Sequence, residues 1–159
     1  MRLLRVVVAG ALLAVVSGCQ APAPSVTVFS GSTSDHREAV CWSADSTQVD
    51  LKQCLSVARD DTQRRDELQA GLGSVPVRSD ATIGVSVDPE VAERGWYVTL
   101  GTNRVNVEPI RDTYYRLSLP AAIVEQGDSV PLYVLSVDGD QTDVTTGVWT
   151  FELVPDTGA

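Results

Sequence analysis

The apolar residues of this chain recur at every second position, in short runs broken by turn residues, and that pattern restricts the fold more than any other feature. Val26 and Val28 flank Thr27; Ile83, Val85 and Val87 alternate with Gly84 and Ser86; Trp96, Val98 and Leu100 alternate with Tyr97 and Thr99. Side chains on a strand point alternately to opposite faces, so each run describes a strand with one buried face. The period continues through Val105 and Val107, through Tyr115, Leu117 and Leu119, and through Trp149, Phe151 and Leu153. Val130 to Val137 is apolar at both parities, and the turn-rich Asp138 to Asp143 that follows it predicts a hairpin. With Glu38 to Trp42 counted, the chain reads as about eight short strands with no strand–helix–strand alternation. It predicts an all-β fold, an antiparallel Ig-like or fibronectin-like β-sandwich over residues 26–155, with Trp42, Trp96, Trp149 and Phe151 filling the space between the sheets.

One stretch breaks the period. Val57 to Ala70 is rich in helix formers, pairs Asp60 with Arg64 and Asp61 with Arg65 at i,i+4, and stops at Gly71. Its thin apolar stripe predicts a short helix lying on the sandwich rather than inside it. Glu90 to Arg94 reads as one further helical turn before Trp96.

The first nineteen residues carry a different signal. Arg2 and Arg5 precede an apolar stretch from Val6 to Val16, then Ser17, Gly18 and Cys19. Thirteen residues from Val6 to Gly18 reach roughly 20 Å as a helix, whereas a bilayer core of roughly 30 Å needs about 20 residues. The layout predicts an export signal over residues 1–18 that is removed rather than kept as a span. Val16-Ser17-Gly18-Cys19 is similar to the lipobox of bacterial lipoproteins, in which the cysteine is alkylated with diacylglyceryl and becomes the mature N-terminus. One acyl chain holds a protein only marginally and two hold it stably. Residues 19–25, with Pro22 and Pro24, then read as a tether, and 156–159 as a tail. An ordinary cleaved secretory signal and an uncleaved membrane helix are the competing readings.

Export places the remaining cysteines in an oxidising compartment. With Cys19 acylated, Cys41 and Cys54 are an even pair, read most simply as a disulfide; two free buried thiols and a redox-active pair are the rivals, the last disfavoured by a spacing unlike C-x-x-C.

The chemistry the sequence can support is narrow. Its 21 acids against 12 bases give a formal charge of −9, and the seven acids with no lysine or arginine from Leu117 to Ala159 make the C-terminal third the electronegative part. Such a surface repels phosphate backbones, so no nucleic-acid partner is expected. The single histidine, His36, lies in the polar run Ser30 to His36 and reads as an exposed loop residue; Asp35 beside it does not make a triad, and no G-x-S-x-G elbow is present. Lys52, the one lysine, has Val49 three residues before it and so forms no serine–lysine motif. Asp138, Asp140 and Asp143 depart from calcium-loop spacing and read as a hydrated hairpin tip in preference to a weak calcium site. No catalytic residue, cofactor or metal is assigned. The one candidate binding face is on Val130 to Val137: if Leu132 and Val134 face the core, then Tyr133, Leu135 and Val137 line the opposite face and offer a pocket or partner groove.

The lipobox, the early cysteine pair, the run VPVRSDATIGVSVDPEVAERGWYV from Val75 to Val98, and Tyr115-Arg-Leu-Ser-Leu-Pro120 together resemble the actinobacterial lipoproteins of the domain-of-unknown-function 2771 family. The likeness spans most of residues 19–154; the wider cysteine gap and the polar Val57 to Ala70 stretch depart from it. It implies location and fold and brings no activity. The expectation is a lipid-anchored protein on the extracytoplasmic face of the cell membrane, acting as a non-catalytic binding or scaffolding module with an envelope protein as partner. A carrier or sensor of an apolar ligand is the alternative, and an envelope hydrolase the minor one.

Overall fold

The computed structural model describes residues 22–60, 74–79, 81–121, 127–139 and 141–156. The lipobox with Cys19, the Asp60/Arg64 and Asp61/Arg65 pairs, and Asp140 of the hairpin tip lie wholly or partly outside the described residues. Two β-sheets pack face to face as an all-β sandwich, mostly antiparallel, with ten strands among the described residues where the sequence suggested about eight. The first sheet has four strands in the order β2-β1-β5-β8, formed by β1 (Ser25–Ser30), β2 (Thr33–Glu38), β5 (Thr82–Val87) and β8 (Tyr114–Ser118). The second runs β3-β10-β9-β6-β7, formed by β3 (Cys41–Trp42), β10 (Gln141–Pro155), β9 (Val130–Asp138), β6 (Trp96–Leu100) and β7 (Asn103–Arg104), with β4 (Ser74–Val77) added on β10.

The alternation in the sequence becomes the core. Val26 and Val28, Ile83, Val85 and Val87, and Leu117 of the first sheet are buried against Trp96 and Val98, Leu132 and Val134, and Trp149, Phe151 and Leu153 of the second. Trp42 is half-buried and packs on this cluster, its ring 5.8 Å from that of Trp149.

Strand β10 organises the second sheet. One edge pairs along its length with β9, while the other is shared: Gly147 and Val148 pair antiparallel with β3, and Glu152 to Pro155 pair with β4 in parallel. The parallel ladder is a departure from the purely antiparallel sheet expected. It exists because Val75 and Val77 alternate inward, and burying each stabilises by roughly 1.5–3 kcal/mol.

The first helix, α1 (Leu51–Asp60), starts six residues earlier than Val57. Asp50 causes this: its carboxylate accepts hydrogen bonds from the Lys52 and Gln53 amides at 2.9 and 3.1 Å, an N-cap that sets the first turn. Cys54 therefore sits on a helix, and Cys41 and Cys54 are joined in a disulfide with Cα atoms 5.8 Å apart. The second helix, α2 (Pro89–Arg94), is the turn expected before Trp96, with Pro89 in its first turn.

Candidate functional site

The face proposed from sequence lies on the outer side of the second sheet. Leu132 and Val134 point into the core, which turns Tyr133 and Leu135 outward on the central strand β9. Register sets their neighbours. Leu135 lies between Val148 and Tyr97, and Tyr133 between Thr150 and Thr99, so one face carries both rows. Arg104, opposite Thr99, places its guanidinium 3.9 Å from the centre of the Tyr97 ring. That contact desolvates one side of the ring and holds the arginine flat along the face.

Val137 does not join this face. It is 2% exposed, its amide donates to the Gly95 carbonyl at 2.9 Å, and its side chain packs beside Gly95. The parity of β9 still runs through Tyr133, Leu135 and Val137, so what removes Val137 from the open face is its covering beside Gly95; the irregular register between Thr145 and Gly147 lies on β10. Val148 is fully buried although it points away from the core. It pairs with Cys41, whose disulfide brings α1 over this end of the face. The open part is therefore a shallow strip of Tyr133 and Leu135, both half-buried, bounded by Arg104 on one side and α1 on the other.

The outer side of the first sheet holds the histidine. His36 is a strand residue of β2, not a loop residue, and remains exposed. Its Nδ1 lies 2.9 Å from the Thr27 hydroxyl. A hydroxyl beside an imidazole acts as a nucleophile–base pair where a third group orients the ring. Asp35 cannot be that group: it faces inward, opposite Val28, and its carboxylate accepts from Arg37 Nε at 2.9 Å. On the same outer side Phe29 lies over Gly84 and stacks on Tyr114, with ring centroids 5.8 Å apart and planes 7° from parallel.

The two ends of the sandwich carry open clefts of different character. At the end where the chain enters, Pro22, Ala23, Ala39, Trp42, Asp45 and Glu90 line a cleft of about 750 Å³. Arg94 braces these lining residues, with its guanidinium 4.2 Å from the centre of the Trp42 ring and donating to the carbonyls of Ser43 and Ala44 and to the Glu90 carboxylate at 2.7 to 3.0 Å. On its rim the Ser43 hydroxyl, followed by the side chain and amide of Thr47, donates to Asp45 and holds that carboxyl below the usual carboxylate range. At the opposite end, Ser30, Thr33, Thr82, Arg78 and Asp156 line a polar groove of about 550 Å³, with the exposed Arg78 paired to Asp156 at 2.9 Å. Sequence reading missed both clefts, since each is assembled from loops and strand ends far apart in the chain.

No protein-family profile, curated protein or solved structure matches this chain.

Proposed function

We propose that this protein is a lipid-anchored β-sandwich on the extracytoplasmic face of the cell membrane that works as a non-catalytic binding or scaffolding module. The observation that supports it is the cysteine count. Of three cysteines, Cys41 and Cys54 are bridged, and the third, Cys19, stands in the lipobox-like Val16-Ser17-Gly18-Cys19. A structural disulfide agrees with an exported domain, and a cysteine left over at that position agrees with acylation. The resemblance to domain-of-unknown-function 2771 lipoproteins enters for location alone.

Binding rather than carrying follows from the shape of the apolar strip. Tyr133 and Leu135 form a shallow, half-buried face beside Arg104, whereas an apolar ligand calls for an enclosed pocket of a few hundred Å³. A protein surface fits a flat strip of aromatic, aliphatic and arginine side chains. Two measurements test the reading. Cys19→Ala should move the protein from the detergent phase to the aqueous phase, and unchanged partitioning refutes the anchor. A photo-crosslinking amino acid at Tyr133 in intact cells should trap a discrete protein adduct that the same probe at exposed Ser32 does not; identical patterns refute the strip as the contact surface.

A further inference from the structure

We infer that the chain-entry end of the sandwich rests on the bilayer surface, at the level of the lipid headgroups, with the groove around Ser30 and Arg78 held on the far side. The inference rests on the lipid-anchor reading of Cys19 and deepens it by naming which face the membrane meets.

Little chain separates Cys19 from the folded domain. Residues 19–25 read as a tether in the sequence, yet most of them belong to the fold. Ser25 opens β1, and its amide and hydroxyl both donate to the Asp88 carboxylate, at 2.7 and 2.9 Å. Pro24 is buried and its carbonyl accepts from the Trp149 indole at 3.0 Å. Pro22 and Ala23 line the entry cleft. Consecutive Cα atoms are 3.80 Å apart, so Cys19 lies within about 11 Å of Pro22 whatever path residues 20 and 21 take. An acylated Cys19 would therefore bring Pro22, Ala23 and the cleft wall into the interfacial region.

The composition of that end suits an interface. Trp42 presents an aromatic body with a polar edge, a side chain favoured at the boundary between lipid and water. Ala23, Ala39 and Val49 add small apolar surface, while the exposed Asp45 and Glu90 prevent deeper insertion. From Ser25, β1 runs away from this end for about 17 Å to the turn at Gly31 and Ser32, which rims the polar groove. The groove is thus held on the side away from the bilayer.

A thiol-reactive fluorophore distinguishes the two ends, because Cys41 and Cys54 are bridged and an acylated Cys19 leaves no competing thiol. Lipidated protein carrying Ala44→Cys or Ser32→Cys would be labelled and reconstituted in phosphatidylcholine vesicles containing a headgroup spin-labelled lipid. Flotation with the vesicles is read first. Label at position 44 should be quenched at least about threefold more than label at position 32, given a separation of about 17 Å along β1. Inserting ten Gly/Ser residues after Gln20 should remove that difference, since a flexible linker frees the orientation. Floating protein with equal quenching at the two positions, or stronger quenching at 32, overturns the orientation and leaves the anchor standing. Protein that fails to float overturns both.

Discussion

The indole Nε1 of Trp149 donates a 3.0 Å hydrogen bond to the carbonyl of Pro24, 125 residues away in sequence. Trp149 is fully buried, so this bond ties Pro24 to one of the two fully buried tryptophans of the core. Trp149→Phe keeps most of the apolar volume and removes the donor, leaving a buried carbonyl without its partner. The expected cost is about 2–4 kcal/mol in urea unfolding, combining the unsatisfied acceptor with a modest packing loss. Faster amide exchange at Ser25 should accompany it, and an unchanged unfolding midpoint would show that the tie contributes nothing.

Two glycines are required by ring contacts rather than by backbone conformation. A Cβ on Gly147 would lie 2.7 Å from Trp42 Cε3 and 2.9 Å from Trp149 Cη2, two rings fixed by the core and by Arg94. A Cβ on Gly84 would run into the tip of the Phe29 ring, the far end of a half-buried side chain. Gly147→Ala should therefore cost about 1–3 kcal/mol, with Gly84→Ala costing less because Phe29 can swing off Tyr114. In a Phe29→Ala background the Gly84→Ala penalty should vanish, whereas an additive double variant would contradict the contact.

What was legible in the sequence was the part of the fold specified by apolar alternation. Strands β1, β5, β6, β8, β9 and β10 were readable because their inward positions are valine, leucine, isoleucine or aromatic. Strand β2 was not, because its inward positions are Thr33, Asp35 and Arg37, whose polarity is resolved by the Asp35–Arg37 pair at 2.9 Å. Inward charge on an edge strand discourages pairing with another chain, so the feature that hid β2 is one that edge strands use. Val107 misled in the other direction: it keeps the period yet is 91% exposed. The ladder ends at Arg104, and the Val98 amide donates instead to the Asn106 side chain at 2.9 Å. Of the candidate face, Tyr133 and Leu135 were readable from parity; Val137 shares that parity, but its burial was not readable, since it comes from the chain around Gly95. Arg104 over Tyr97 depends on cross-strand register, which period alone does not supply.

Reduction tests what the disulfide does for the outer face of the second sheet. Cys41 and Cys54 are 13 residues apart, and opening a loop of that size should lower stability by roughly 3 kcal/mol in the chain-entropy model. The Cys41→Ser/Cys54→Ser variant should show that loss together with faster exchange of the α1 amides, while the β5 and β6 amides slow to exchange only through global unfolding follow the overall stability. Equal stability of the oxidised and reduced proteins would mean that α1 is held by its packing alone.

Asp45 predicts a pH dependence of defined sign. The Ser43 hydroxyl first, and the Thr47 hydroxyl and amide after it, favour the carboxylate, so its pKa is lower folded than unfolded. A group shifted this way stabilises the folded state above its unfolded pKa of about 3.9, and the contribution disappears as pH falls through the lowered folded value. Asp45→Asn removes the titration while keeping a side-chain oxygen at the turn. The variant should unfold at lower urea than the wild type at pH 6, and the gap should close steadily below pH of about 4. A difference that is the same at every pH would show that the hydroxyls order the turn without favouring the charge.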